Sequence, residues 1–98
     1  MKPRILRPAQ AELRDAVRWY EERGAGLGHA LRDEVLDRLR LLCELPLSAP
    51  AWIDDPSFRC STLRRFPYRI FYFLDEDQLV VAAIAHDRRE PGYWRSRV

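Results

Sequence analysis

The residues best suited to chemistry lie in the last third of the chain. Arginine, histidine and aromatic side chains are concentrated in Arg64-Arg65, Tyr68-Arg69, His86-Asp87-Arg88-Arg89 and Tyr93-Trp94. A guanidinium group binds phosphates and carboxylates, an imidazole group can accept or donate a proton, and aromatic rings stack on nucleic-acid bases. These residue types therefore suit the binding of a nucleic acid or an acidic protein segment, and His86 is also a candidate for proton transfer.

The sequence lacks the motifs of better-defined chemistries. It has no glycine-rich phosphate loop, no nucleophile elbow and no cluster of His, Cys or carboxylate residues at metal-ligand spacing. Cys43 and Cys60 stand alone, so we interpret both as reduced, small apolar residues. We expect the protein to bind neither a metal nor a cofactor.

The charge of the chain is small but unevenly distributed. Its net charge is +2, and 16 of its 17 basic residues are arginine. Residues 59–69 contain four arginines and no acid, whereas residues 41–58 contain three acids and no base. A net charge this small does not by itself indicate a nucleic-acid partner, but the basic side chains are expected to collect on one pair of elements.

The composition is that of one globular domain. Of the 98 residues, 47% are hydrophobic and 33% are charged, which is ordinary for a folded protein. The longest apolar run, Leu79–Ala85, is far shorter than the roughly 20 residues of a membrane-spanning helix, and the N-terminus resembles no signal peptide. We therefore expect residues 1–98 to form one cytoplasmic domain without a membrane contact.

Two helices are predicted before the site residues. The first is expected from about residue 8 to residue 23, with Gly24 as its cap. Its apolar stripe consists of Leu13, Ala16, Val17 and Tyr20. A second helix ends near Pro46, and its stripe consists of Leu27, Leu31, Val35, Leu39 and Leu42. The short turn between them predicts an antiparallel hairpin.

Strands are predicted at the beginning of the chain and in its second half. They cover Arg4–Leu6, Arg59–Phe66, Tyr68–Leu74 and Leu79–Ala85. A polar turn at residues 75–78 joins the last two strands. The loop at residues 46–58 contains Trp52 and Ile53, which we expect to pack onto the body of the protein.

The element order is β-α-α-β-β-β, which defines an α+β protein. The N-terminal strand and the α-helical hairpin are expected to pack with an antiparallel sheet of about four strands, and the hairpin covers one face. The opposite face, or one end of the sheet, is then left for function. Because antiparallel strands run back and forth, Arg69 and the His86–Arg89 segment should lie close together.

Several segments together resemble the RelE/ParE toxins of type II toxin–antitoxin systems. They are Phe66–Tyr72 and Ile84–Trp94 near the end of the chain, and Ala11-Glu12-Leu13, Trp19-Tyr20-Glu21 and Gly26-Leu27-Gly28 near its beginning. The resemblance extends over nearly the whole chain. It implies a small toxin held inactive by a cognate antitoxin; ParE-type members poison DNA gyrase, and RelE-type members cut messenger RNA on the ribosome.

The residues favour the ParE-like branch. In an alignment on Tyr68-Arg69, Cys60 and Thr62 stand where RelE carries lysines, and Trp94 stands at or beside the position of its tyrosine. Tryptophan has no acidic proton to donate, so this comparison disfavours cleavage of RNA. The resemblance then implies a non-enzymatic, growth-inhibiting toxin that contacts gyrase and forms a hetero-oligomer with its antitoxin.

Two alternatives remain open. A metal-independent endoribonuclease would use Arg69, His86 and Arg88 as catalytic residues, whereas an inactive remnant would only bind the antitoxin. The residues predicted to contact the target or the antitoxin are Arg64, Arg65, Tyr68, Arg69, Arg88, Arg89, Tyr93 and Trp94. Purely structural roles are also open: a salt bridge for Arg69, a backbone or Asp87 hydrogen bond for His86, and anchoring of the C-terminal tail for Tyr93 and Trp94.

Overall fold

The chain begins with a short strand that is followed by two helices. In the computed structural model, which describes all 98 residues, strand β1 covers Lys2–Ile5, helix α1 covers Arg7–Arg23 and helix α2 covers Leu27–Glu44. Pro8 stands in the first turn of α1, where its missing N–H costs no hydrogen bond, and Gly24 ends the helix as predicted. Neither helix is long and apolar enough to cross a membrane.

The turn between the helices is closed by Glu21. Its carboxylate accepts hydrogen bonds from the backbone N–H groups of Gly26 at 2.8 Å and Gly28 at 2.9 Å, which have no acceptor within α2. These hydrogen bonds, that of Gly26 above all, lower the pKa of Glu21. Gly28 also lets the helices approach closely, since a Cβ atom there would lie 2.3 Å from the carbonyl oxygen of Val17.

Four strands form one mixed sheet in the order β1-β4-β3-β2. Strand β2 covers Arg59–Thr62, β3 covers Tyr68–Asp75 and β4 covers Gln78–His86. The last three strands pair antiparallel as predicted, whereas β1 runs parallel to β4 at the edge of the sheet. The direction of β1 is open in the sequence because two helices, and not a tight turn, connect it to the other strands.

The strand predicted at Arg59–Phe66 is shorter in the structure and ends at Thr62. After it, the N–H of Leu63 donates to the carbonyl oxygen of Tyr68 at 3.0 Å, and the N–H of Tyr68 donates to the carbonyl oxygen of Phe66 at 2.8 Å. Residues 63–67 therefore form the turn into β3.

The larger core lies between the helices and the sheet. Four residues of the predicted α2 stripe are buried in it, namely Leu31, Val35, Leu39 and Leu42. Leu27, the first residue of the helix, remains exposed. Ala16 of α1 is buried, and Leu13, Val17 and Tyr20 are half-buried against this core. The apolar stripes of both helices therefore face the sheet as predicted.

A second, smaller core covers the other face of the sheet. It joins Trp52 and Phe58 of the loop and Phe71 of β3 to Trp94 of the C-terminal segment. Trp94 is completely buried, and its ring centroid lies 4.7 Å from that of Phe58 and 4.8 Å from that of Phe71. The face opposite the helices is thus filled, so only the end of the sheet remains open for function.

Polar groups pin the loop that covers this face. The hydroxyl of Tyr72 donates to the carbonyl oxygen of Pro46, and Arg59 donates to that of Ala49, both at 2.7 Å. Trp52 packs on the body as predicted, but Ile53 is 91% exposed, so the expectation for Ile53 is wrong. Ile53 lies in a bend that follows Trp52, and its side chain does not follow that of Trp52 into the core.

Replacement of Trp94 by alanine should strongly destabilise the protein, because it removes the largest side chain of the second core. We expect Trp94→Ala to lower the free energy of unfolding by about 3–5 kcal/mol in urea denaturation. Ile53→Ala is the control and should change this free energy by less than about 0.5 kcal/mol. A loss below about 1 kcal/mol for Trp94→Ala would mean that the C-terminal segment does not cover the sheet.

Glu21 should make the stability depend on pH. Because its pKa is lowered in the folded state, its contribution is fully present above the ordinary carboxyl pKa of 4.5 and is lost as the pH falls through the folded-state value. We expect Glu21→Gln to lower the urea midpoint at pH 7 and to match the wild type below the folded-state pKa. Glu22→Gln, an exposed neighbour without a hydrogen bond, is the control; equal effects of both substitutions would refute the role of Glu21.

Candidate functional site

Strands β3 and β4 bring the predicted residues to one end of the sheet. Tyr68 pairs with His86 and Arg69 with Ala85, while the N–H of Asp87 donates to the carbonyl oxygen of Pro67 at 2.8 Å. The expected proximity of the two segments is therefore confirmed. We call this region the arginine end, and its arginines are Arg64, Arg65, Arg69, Arg88 and Arg89.

Arg64 and Arg65 lie in the turn that precedes β3. Glu34 of α2 accepts hydrogen bonds from both backbone N–H groups, at 2.5 and 3.2 Å. This contact fixes the turn, while both side chains are exposed and neither guanidinium group forms a salt bridge. Two unpaired cations on a fixed backbone are free to bind a carboxylate or a phosphate.

Arg69 and His86 point to opposite faces of the sheet. Arg69 lies on the side of the second core, where its guanidinium carbon is 5.2 Å from the centroid of the Phe71 ring. His86 lies on the helix side, where its ring stands edge-on to that of Tyr68 at 5.1 Å. Side chains alternate between the two faces along a strand. The two residues are therefore close in the backbone pairing but do not share a cleft.

Both residues also have structural partners. Nε of Arg69 lies 3.5 Å from the carboxylate of Asp87, too far for a good hydrogen bond, and it has no other partner. Nδ1 of His86 accepts a hydrogen bond from the backbone N–H of Arg88 at 3.0 Å. The structural roles left open by the sequence are thus present for both residues. Of the two ring nitrogens of His86, only Nε2 is left for a ligand.

An aromatic pocket of about 420 Å³ opens beside His86, between α1 and the end of the sheet. Its principal lining residues are Trp19, Tyr20, Tyr68, His86, Arg89 and Tyr93, with the carboxylates of Glu12 and Asp15. Arg69 and Arg88 do not line it. The indole of Trp19 is half exposed, and a concave aromatic surface with a charged rim is typical of a binding site.

One wall of the pocket is fixed by the carboxylate of Glu12 in α1. It accepts hydrogen bonds from the backbone N–H of Ile84 at 3.0 Å, from the hydroxyl of Tyr93, and from Arg97 at 2.9 and 3.1 Å. Arg97 also donates to the carbonyl oxygen of Ala82 at 3.1 Å. The side chains of Glu12 and Arg97 are only 14% and 19% exposed, so water weakens this ion pair little.

Glu12 and Arg97 together take the place of a missing strand. The pairing of β1 with β4 ends at Ile5 and Val81, and a register shift leaves Ala82 without a partner in β3. At this open edge the N–H of Ile84 and the carbonyl oxygen of Ala82 bond to side chains instead of backbone. Because buried backbone groups must be paired, these two side chains complete the sheet. We call this arrangement the Glu12 clamp.

Tyr93 connects the Glu12 clamp to the aromatic pocket. Burial and the hydrogen bond to Glu12 raise the pKa of Tyr93 far above its usual value, so its hydroxyl stays protonated and donates to the carboxylate. The guanidinium carbon of Arg89 lies 3.7 Å from the centroid of the Tyr93 ring, which is an attractive cation–π arrangement. The hydrogen bond to Glu12 likewise raises the pKa of Arg97.

The structure corrects the predicted contact set at Trp94. This side chain is buried in the second core and anchors the tail, so it presents no surface to a partner. Glu12 and Asp15 also line the pocket, although they were not among the predicted site residues. Positions 12, 15 and 19 fall on one face of a helix, and this spacing indicates that both carboxylates lie beside Trp19.

The cysteines take no part in this site. Cys43 and Cys60 are not linked to each other, and burial raises the pKa of both thiols. No group of three or more His, Cys, Asp or Glu side chains is arranged to hold a metal ion.

A second concave surface, which we call the helix groove, is formed by α1, Ile5 and Arg32. It has a volume of about 570 Å³ and an apolar floor made of Ile5, Leu13 and Val17. Its rim carries three arginines that form no salt bridge, Arg14, Arg18 and Arg32. Two carboxylates, those of Glu21 and Glu22, also line it. That of Glu21 accepts hydrogen bonds from the backbone at the start of α2, so only that of Glu22 has no hydrogen-bond partner.

Comparison with known proteins identifies the family. Residues 4–91 match the family described as "ParE toxin of type II toxin-antitoxin system, parDE". Because this match covers most of the chain, the protein belongs to the ParE toxin family, as the resemblance predicted.

A solved structure supports the same fold. It is described as "Chromosomal ParDE TA system from P. aeruginosa" and is similar with a TM-score of 0.72 over 88% of this chain and 95% of that chain. The two sequences are 20% identical, so the similarity shows a shared α+β fold. No curated protein sequence matches the chain.

Proposed function

We propose that this protein is a cytoplasmic, growth-inhibiting toxin that acts on DNA gyrase by protein contact and not by catalysis. Its membership in the ParE toxin family supports this proposal. The choice of mechanism depends on one observation, the projection of Arg69 and His86 to opposite faces of the sheet. A ribonuclease needs its acid, base and cation around the same phosphate.

The other groups that a ribonuclease would need are also engaged elsewhere. The indole of Trp94 is buried, and the hydroxyl of Tyr93 donates to Glu12. The guanidinium group of Arg69 lies beside Asp87. Arg89 is the only cation that lines the cleft containing His86, and neither Arg69 nor Arg88 lines it. This shortage of cations around one phosphate position favours a toxin that binds its target.

We assign target binding to the arginine end and the aromatic pocket. Arg64, Arg65 and Arg88 are exposed and unpaired, and the pocket that contains His86 presents the rings of Trp19 and Tyr68. Arginine and aromatic side chains contribute most of the binding energy in protein interfaces. Their concentration at one end supports a protein target that is contacted there.

We infer that the cognate antitoxin occupies the helix groove with an acidic, amphipathic helix. The apolar floor of the groove matches one face of such a helix, and the arginines at its rim match acidic side chains. A partly disordered segment that folds on binding can cover this surface. The similar P. aeruginosa structure is described as a ParDE system, which supports a hetero-oligomer with an antitoxin.

A ribosome-dependent endoribonuclease is the second candidate, because Nε2 of His86 is free in the same pocket as Arg89. Its targets would be the ribosome and its messenger RNA, with Arg69, His86 and Arg88 as the catalytic residues. The two functions are separated by expressing the protein alone and mapping transcript 5′ ends. In-frame cuts that disappear in His86→Ala would overturn the gyrase proposal, and growth without arrest would identify an antitoxin-binding remnant.

The purified protein should inhibit supercoiling by gyrase, and Arg89→Ala should weaken this inhibition. We expect the half-inhibitory concentration to rise by about tenfold or more, equivalent to about 1.4 kcal/mol of binding, because a cation is lost from the pocket rim. Arg40→Ala is the charge-matched control, since Arg40 pairs with Asp37 on the exposed side of α2. Equal inhibition by Arg89→Ala and wild type would exclude the pocket as the gyrase site.

Reversing charge at the helix groove should weaken antitoxin binding. The probe is the small co-encoded protein that the wild-type chain captures in its native host, and its affinity is measured by titration calorimetry. We expect Arg14→Glu with Arg18→Glu to weaken binding by about 100-fold, or about 2.7 kcal/mol. Arg64→Glu with Arg65→Glu makes the same charge change at the arginine end and should alter affinity by less than about threefold; an equal loss in both pairs would contradict the assignment.

A further inference from the structure

Glu12 lines the aromatic pocket, and its carboxylate is among the most extensively bonded groups of the chain. Its four hydrogen bonds come from β4 and from the C-terminal segment. Two of the donor residues belong to the closure of the sheet edge: Ile84 carries the open backbone N–H, and Arg97 pairs with the carbonyl oxygen of Ala82. The third, the hydroxyl of Tyr93, belongs to a ring that forms part of the aromatic pocket.

Two other contacts dock the C-terminal segment without Glu12. Trp94 is buried in the second core, and Arg95 pairs with Asp55 at 2.9 Å. Loss of the Glu12 carboxylate should therefore leave this segment attached to the sheet. Besides the contacts with Ile84 and Arg97, it removes the hydrogen bond that sets the position of the Tyr93 ring.

Arg89 depends on that ring. Its guanidinium group forms no hydrogen bond and no salt bridge within the chain, and its one specific contact is the Tyr93 ring at 3.7 Å. An exposed arginine without such a contact samples many rotamers. Fixing it in advance lowers the entropic cost of binding a partner.

We propose that Glu12 is a positioning residue, which holds Tyr93 and through its ring fixes the guanidinium group of Arg89 at the rim of the aromatic pocket. A role of Glu12 in target binding rests on the proposed function, which assigns the rim of the aromatic pocket to the target. The position of Arg89 itself is measurable without any target.

The test is Glu12→Gln in the full chain. The glutamine NH₂ group would face the guanidinium group of Arg97, so a donor opposes a donor and the contact with Tyr93 loosens. In NMR spectra of ¹⁵N-labelled protein, the ring current of Tyr93 shifts the Nε–H resonance of Arg89 away from that of a free arginine. We expect Glu12→Gln to lose most of this shift and to inhibit gyrase about tenfold less.

Two further variants make the result specific. Glu44→Gln, an exposed carboxylate at the end of α2, is the matched control and should change neither the resonance nor the inhibition. Arg97→Lys weakens the Glu12 clamp through a residue that does not line the pocket. It serves as the test variant if Glu12→Gln does not fold. Lysine keeps the charge but lacks the paired donors of arginine, so we expect the same direction of change.

An unchanged Arg89 resonance in the folded variants would overturn the proposal, since Arg89 would then be held by another contact. If Glu12→Gln moves the Arg89 resonance towards that of a free arginine but inhibits gyrase as well as the wild type does, the role of Glu12 in target binding is overturned. The gyrase proposal itself is then unaffected. If the wild-type protein does not inhibit gyrase, the proposed function fails. The Arg89 resonance alone then decides whether Glu12 positions this side chain.

Discussion

The rest of the structure depends on how the open edge of β4 is closed. The chain leaves the sheet after Ile5 to begin α1, so β4 continues beyond the end of its parallel neighbour. Glu12, in the second turn of that helix, and Arg97, from the other end of the chain, pair with the backbone groups left at this edge. An isolated carboxylate would be costly here, but four donors, two of them on the guanidinium group of Arg97, compensate for its loss of water.

The Glu12 clamp also joins the two cores. Helix α1 belongs to the layer on one face of the sheet, and the segment that carries Arg97 belongs to the layer on the other, where Trp52, Phe58 and Trp94 are packed. A domain of this size buries only roughly 60–65% of the surface that its unfolded chain exposes, so a second aromatic core adds needed apolar burial. Because this core fills one face, the concave surfaces described above lie at the end of the sheet and on the helices.

Simple spacing rules predict much of this fold. The apolar stripes of both helices and the meander of β2, β3 and β4 follow from periodicity, and the meander places Arg69 near the His86–Arg89 segment. The direction of β1 does not follow, because a connection of two helices permits either. The sequence also does not predict that Trp52 is buried while Ile53 is exposed, because a loop has no periodic pattern of apolar residues that separates the two. Glu12 was not predicted as a site residue because its partners Ile84 and Tyr93 are distant in sequence. They reach Glu12 only because the edge of β4 is not covered by another strand at this point.

This geometry supports the proposal that this ParE-family chain binds its target and does not cleave RNA, since the fold separates Arg69 from His86 and engages Tyr93 in the Glu12 clamp. The most direct test of the central role of Glu12 is residue-resolved hydrogen exchange of the backbone amides under native conditions. If the Glu12 carboxylate replaces a strand, the N–H of Ile84 should exchange as slowly as that of Ile70 inside the sheet. Exchange of Ile84 as rapid as that of the exposed Ser96 would show that the edge is open and would contradict this account.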